Sequence, residues 1–288
     1  MSPPPFRLTM PARQTAPLVV ASPHSGRDYG DPFLAATVLD RQGIRSSEDA
    51  FVDLLLENVP QLGVPLLAAT VPRAYLDLNR APEELDPALV HDVPRGGMNP
   101  RISSGLGVIP RVVAQGRAIY RGKITRAEAR ARIDAVWRPY HAQLAALMDA
   151  AHAAFGQAVL LDVHSMPHEA IEGTSARGRP PEVVLGDRFG ASCHARIVDA
   201  LEAALADLGF RVARNAPFAG AYIAQTYGAP DRGRHVIQIE LDRALYMDEA
   251  TLEVHPDFAA MRNLLTEAVA RVAAHLAGGR GTGAVAAE

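Results

Sequence analysis

Short, wholly apolar runs that each hand a polar side chain to the next turn are the feature that most limits what this chain can fold into. Pro17–Ser22 (PLVVAS), Pro65–Val71 (PLLAATV) and Ala158–Val163 (AVLLDV) show no alternation of apolar and polar residues. Runs of this length and kind belong to strands covered on both faces, the condition of a parallel sheet between helices. His235–Leu241 (HVIQIEL) is a fourth, alternating until Glu240. Amphipathic stretches separate them: Glu48–Val59, a long helix from the Thr125/Glu128 capping box to Gly156, Ser192–Leu208 and Pro256–Leu276. Their apolar faces must be buried against something. Strands alternating with helices predict an α/β fold, a mostly parallel sheet with helices on both faces. In such sheets, sites form beyond the carboxyl ends of the strands.

The remaining segments are shorter. Glu182–Leu185 and Phe210–Ala213 read as brief strands, and Ala74–Leu78 continues extended into Asn79-Arg80. Val108–Val113 and Arg117–Tyr120 are expected to pair as a hairpin. Pro139 should kink the long helix. Ala81–Gly107 is rich in Pro and Gly, and a loop that long is usually functional or disordered. No repeat or break divides the 288 residues, so a single domain is expected, with residues 1–16 as an arm or frayed end and 278–288 as a disordered tail.

Composition excludes several classes. The net charge of −3 gives no electrostatic reason for nucleic acid or an anionic membrane as a partner. One cysteine rules out a disulfide framework within the chain and a Cys-rich zinc site. No apolar run approaches the ~18 residues of a spanning helix, and Leu18–Ala21 is too short for a signal-peptide core. A cytoplasmic setting is the expectation.

The strand-end rule selects His24, Asn79-Arg80, His164 and Glu240. Neutral imidazoles suit zinc, which in catalytic sites takes three protein ligands. Asp162, two residues before His164, points to the same side of its strand and can fix the tautomer of a ligating histidine. Two hydrogen-bonded structural histidines would give the same pattern. A carboxylate three residues after the first histidine is a common zinc spacing, but Arg27 stands there. Glu48 and Asp49, opening a helix, are the nearest acids, although helix capping alone would also explain them. Glu240 interrupts an apolar strand, where a carboxyl should titrate high and suit a general acid or base; a salt bridge to Arg243 is the structural alternative. Arg80 offers a fork for a substrate carboxylate. Arg95, Arg101 and Arg111, in or beside the long loop, are candidates for a second clamp that spacing cannot separate. Cys193 beside His194 is a weak nucleophile candidate, and a lone cysteine is more often a small buried hydrophobe.

With these residues in view the chain resembles the N-formylglutamate amidohydrolase family. The matching segments are SPHSG (Ser22–Gly26), EDAFVDLL (Glu48–Leu55), LDLNR (Leu76–Arg80), LLDVHS (Leu160–Ser165), VVLGDRFGASC (Val183–Cys193), NAPFAGAYIAQTYG (Asn215–Gly228) and HVIQIELDRALYMDE (His235–Glu249). The resemblance runs in order over most of the chain. It implies a three-layer α/β/α sandwich with a mostly parallel mixed sheet, zinc-peptidase-like (phosphorylase/hydrolase-like), similar to zinc carboxypeptidases and aspartoacylases. It implies one zinc ion on His24, Asp49 and His164, with Asp49 fitting the register better than Glu48. It implies Glu240 as the catalytic base and Asn79 and Arg80 as the clamp on an N-acyl amino acid, with Ser25, Tyr222 and Arg243 also at the substrate. The implied reaction is hydrolysis of N-formyl-L-glutamate to formate and glutamate in histidine degradation. A zinc carboxypeptidase or aminoacylase on another N-acyl amino acid, or a non-catalytic metal- or amino-acid-binding protein, are the alternatives. Gln225 stands where the family tends to carry Arg, which predicts a weaker preference for an acidic side chain.

Overall fold

The computed structural model describes residues 4–94, 99–172 and 179–278. Among them a seven-stranded sheet runs in the order β1-β3-β2-β4-β7-β5-β6. Its strands are β1 (Phe6–Thr9), β2 (Leu18–Ser22), β3 (Leu66–Ala69), β4 (Ala158–Met166), β5 (Val183–Gly186), β6 (Val212–Arg214) and β7 (Arg234–Asp242). The central four, β3, β2, β4 and β7, are parallel to one another. At one edge β1 is antiparallel to β3; on the other side β5 is antiparallel to β7 and parallel to β6. Every residue of β2, β3 and β4 is buried, as the unbroken apolar runs require.

Successive strand residues feed opposite cores, and this makes the three layers. Val20, Leu161 and Ile237 pack with Leu201 and Leu205 of the Ala195–Asp207 helix and Leu265 and Val269 of the Phe258–Gly278 helix. Val19, Leu160 and Val236 pack with Tyr140, Leu144 and Met148 of the Arg138–Phe155 helix. Each fully buried Val or Leu is worth about 1.5–3 kcal/mol relative to exposure. The sandwich is therefore held by side chains whose alternate neighbours are free to carry chemistry at the strand ends.

Several local expectations change. Glu48–Val59 is not one helix: only Val52–Leu55 is α-helical, followed by a 3-10 turn at Val59–Leu62. Phe51 precedes it with φ 65, in the left-handed region, so the chain bends sharply just after Asp49. Ala74–Leu78 is turn and not strand, because Tyr75 and Leu76 both donate to the Pro72 carbonyl. The hairpin shrinks to a single antiparallel bridge, Val112 with Ala118, around the turn at Ala114–Gly116. The amino-terminal arm contributes the edge strand β1. The kink expected at Pro139 takes the form of a π turn over Ile133–Trp137, where Arg138 N–H donates to Ile133 O, five residues back. Pro139 lacks the N–H that would keep the ordinary register. Gly156 ends that helix at φ 74, as expected. The tail beyond Gly278 lies outside the described residues.

Gly26 closes the loop after β2 for a reason the structure makes plain. A Cβ there would lie 2.2 Å from the Val71 carbonyl oxygen. Gly26→Ala should therefore destabilise the protein by about 1–3 kcal/mol, the cost of overpacking against backbone that cannot yield. A melting temperature equal to that of the unsubstituted chain would show that the contact is not tight.

Candidate active site

Three loops and two strands meet at the carboxyl ends of β2 and β4. His24 follows β2 after Pro23. His164 lies within β4, which runs three residues beyond the apolar stretch that marked it. Asp49 arrives from the segment before the sharp bend at Phe51, and its N–H donates to the His24 carbonyl at 3.1 Å. That backbone bond ties the acid to the histidine loop.

The three side chains are buried and close. His164 Nδ1 lies 3.1 Å from His24 Nδ1 and 3.0 Å from Asp49 Oδ2, and His24 Nδ1 lies 3.4 Å from the same oxygen. Each histidine presents its other nitrogen to a buried carboxylate: His24 Nε2 to Asp77 Oδ1 at 2.8 Å, His164 Nε2 to Asp162 Oδ2 at 3.0 Å. An N–H donated there leaves both Nδ1 lone pairs facing Asp49. Two imidazole lone pairs and a carboxylate repel one another unless a cation lies between them. Donors about 2.0–2.1 Å from a tetrahedral ion stand roughly 3.3 Å apart, close to these spacings. Four buried carboxylates (Asp49, Asp77, Asp162, Glu240) surround this point with Arg73 and Arg243, so the group is short of positive charge. His24, Asp49 and His164 can thus hold a metal ion. The carboxylates behind the histidines fix tautomer and ring orientation as ligating imidazoles require.

Titration follows the same crowding. Burial works to raise Asp49, but the adjoining imidazoles of His164 and His24 and the Arg73 charge hold it well below the usual carboxylate range. Burial works to lower His164, but the charges of Asp162, Asp49 and Glu240 hold it well above the usual imidazole value. Both directions describe a site that attracts a cation.

Glu48, the alternative acid, is occupied elsewhere: Tyr29 donates to its Oε1 at 2.6 Å and Arg45 Nε at 3.0 Å. Glu240 stands beside His164 as its cross-strand partner, because β4 and β7 pair in register along their length. Burial pushes its carboxyl up to about 7. The alternative salt bridge to Arg243 is not formed. Arg243 donates to Asp49 Oδ1 at 3.3 Å and to Ser165 Oγ at 3.2 Å, so it steadies a member of the donor triad.

A cleft of about 760 Å³ opens over these groups. Arg73, Arg80, Arg101 and Arg243 line it, together with His24, His164 and Glu240. Arg80 Nε donates to the Leu106 carbonyl and Nη1 to the Asn79 carbonyl, and the nearest carboxylate oxygen, on Glu84, is 4.0 Å away. Burial and the neighbouring Arg101 and Arg73 charges lower its pKa, so an incoming anion would be stabilised there. Asn79 lines the cleft but spends its amide inside the protein, accepting from Ile223 N–H and donating to Gln238 Oε1.

Two residues expected at the substrate lie off the cleft lining. Ser25 is buried below the cleft with its hydroxyl oxygen accepting from Ser22 Oγ at 2.9 Å. Tyr222 packs its ring against Trp137 and His141, with centroids 5.8 and 5.6 Å away. Neither lines the cleft. Arg111 is paired with Asp86 and also lies off it. Arg95 lies outside the described residues. Gln225 is exposed on the Tyr222–Tyr227 helix, away from the lining. Cys193 is a buried thiol pushed up to about 12 by burial, which removes it as a nucleophile.

Sequence reasoning missed three residues: Asp77 behind His24, Arg73 between Asp77 and Asp49, and Gln238 beside Glu240. Asp77 had a signal, since its carboxylate also caps the turn by accepting from Asn79 N–H at 2.8 Å, a role typical of Asp before Leu-Asn. Gln238 had one too, as the only other polar side chain within the apolar span Val236–Leu241 besides Glu240.

A paired-carboxylate His–Asp–His group, with a high-titrating acid at its side and a cationic cleft above, defines an α/β hydrolytic enzyme. A family model described as N-formylglutamate amidohydrolase matches residues 16–247. The chain belongs to the N-formylglutamate amidohydrolase family. It is 32% identical over 245 residues to an N-formylglutamate deformylase of Pseudomonas aeruginosa, covering 82% of this chain and 84% of that protein. A Pseudomonas putida N-formylglutamate deformylase is 28% identical over 240 residues, covering 81% and 82%. The crystal structure of an N-formylglutamate amidohydrolase from Ralstonia eutropha superposes with a TM-score of 0.89 at 38% identity, over 96% of this chain and 99% of that one.

Proposed function

We propose that this chain hydrolyses the formyl amide of an N-formyl amino acid, N-formyl-L-glutamate above others, to formate and the free amino acid, with zinc on His24, Asp49 and His164. Histidine degradation in the cytoplasm is the setting we infer for it; among the described residues no helix is long and apolar enough to cross a membrane. The observation that carries the reading is the buried donor triangle with Glu240 beside it, under a cleft edged by an arginine whose nearest carboxylate oxygen is 4.0 Å away.

A divalent metal on these donors supplies Lewis-acid polarisation of a carbonyl and acidifies water. His24 and His164, held by Asp77 and Asp162, keep their Nδ1 atoms aimed at the ion. Arg80 holds the substrate α-carboxylate and so points the formyl group toward the triad. Glu240 takes the proton of the attacking water and delivers it to the amide nitrogen as the C–N bond breaks. Formate and the amine then leave. A carboxyl near neutrality can do both transfers.

Arg80→Ala should raise KM about 10- to 100-fold with a smaller loss in kcat, the worth of one charge-assisted hydrogen bond of about 1.5–3 kcal/mol. The check compares N-formyl amino acids with their carboxamides. If the variant weakens both alike, Arg80 is not the carboxylate clamp. Specificity is a separate matter. Arg101 is on the cleft and Gln225 is not, so the Gln225 departure no longer argues against an acidic side chain. N-formylglutamate should have a higher kcat/KM than N-formylmethionine, and the reverse order would count against the proposed substrate.

A further inference from the structure

The strand β7 places a buried amide immediately before the acid. Gln238 and Glu240 are on the same side of the strand, and Gln238 Nε2 donates to Glu240 Oε1 at 2.8 Å. The amide's own orientation is fixed from behind. Its Oε1 accepts from Ala221 N–H at 2.9 Å and from Asn79 Nδ2 at 3.3 Å. Asn79 is fixed in turn, because its Oδ1 accepts from Ile223 N–H at 2.8 Å. With two donors facing Oε1, only the NH₂ group of Gln238 can face the carboxylate. All three side chains are buried, so water does not substitute for any of these partners cheaply.

The geometry points to Gln238 as the positioning residue of Glu240: it occupies Oε1, leaves Oε2 as the oxygen that handles the proton, and ties that oxygen's aim to the Asn79 and Ala221 segments of the cleft wall. This rests on the reading of Glu240 as the general base. It goes beyond that reading, since a base needs only an acid in reach, whereas here one of its two oxygens is selected. Proton transfer depends steeply on such aim, so the effect belongs in kcat and not in substrate affinity.

The test is a double-mutant cycle on the metal-loaded full chain with N-formylglutamate. Gln238→Met keeps the length of the side chain and removes the donor. It should lower kcat about 10- to 100-fold, with KM within about 2-fold and with melting temperature and zinc content kept. In the Glu240→Gln background the same substitution should change the residual kcat less than about 2-fold, because no carboxylate remains to be aimed. Gln238→Leu, close to glutamine in volume and likewise without a donor, should show the same kcat loss at pH 8. It serves as the readout if Gln238→Met does not fold. Equal fold-losses in both backgrounds, a change in KM alone, or full kcat in Gln238→Leu would overturn the proposal. If Glu240→Gln alone keeps full kcat, the base reading fails, and this inference fails with it. If Glu240→Gln loses kcat and the Gln238 variants do not, only the positioning role is overturned.

Discussion

His164→Ala should lose bound metal and essentially all amide hydrolysis together, while the chain stays folded. The imidazole supplies one of three donors, and its neighbours are arranged around it: Asp162 behind, Asn79 to the side, Asp49 and His24 in front. Removing one donor leaves two, too few for a structural hold on zinc. Activity should fall at least about 10³-fold, since both the Lewis acid and the acidified water go with the ion. Elemental analysis of protein purified without chelator decides the first half, and formate release the second. Asp49→Ala should behave alike. Glu48→Ala should keep its metal, because Glu48 is committed to Tyr29 and Arg45. Full zinc occupancy in a chain lacking both His24 and His164 would sink the assignment. So would loss of metal on Glu48→Ala but not on Asp49→Ala.

Glu240→Gln should keep fold, metal and substrate binding and lose about 10²- to 10⁴-fold in kcat, the range of general acid–base catalysis. The structural alternative makes the opposite claim. Were Glu240 needed as a counter-charge, its loss would leave a buried cation unpaired and destabilise the protein by about 3–5 kcal/mol. Its one side-chain hydrogen bond is from an uncharged amide, while Arg243 has Asp49 and Arg73 has Asp77, so neither arginine is paired through it. Glutamine fills the same space. The pH dependence follows from the same burial. A base must be ionised, and burial pushes this carboxyl up to about 7, so kcat should rise with pH through the neutral region and level off above it. The apparent midpoint belongs to Glu240 together with the charged groups around it, not to one residue. A variant with normal kcat, or one that has lost melting temperature and zinc along with activity, rejects the catalytic role.

What could be seen in the sequence, and what could not, divides along physical lines. β2, β3 and β4 were legible because strands buried on both faces must be apolar throughout. The strand-end rule then exposed His24, His164 and Glu240. The helix expected at Glu48–Val59 was not legible, because its apolar spacing is honest but the left-handed backbone at Phe51 is a tertiary demand. Periodicity carries no sign of it. Ser25 and Tyr222 sit in motif segments of the family, yet a motif records which residues recur and not which way they face. Here one lies under the cleft and the other among aromatic rings. Asp77 and Arg73 were missed because the imidazole or acid each serves is distant in the chain, and Gln238 because the groups that fix its amide are. The link from Asp77 to His24 crosses 53 positions, and that from Asn79 to Gln238 crosses 159.

That same remoteness bears on how the molecule comes to be active. His164 meets Asp49 across 115 positions and His24 across 140, and the acid waits on the pairing of β4 with β7. Contacts so far apart in the chain are the slowest to form, since loop closure must precede their reward. No fragment of the nascent polypeptide that stops short of β7 carries the acid beside the donor triangle. During refolding, helical signal should therefore return well before formate release, and added zinc should find its full ligand set only in the last kinetic phase.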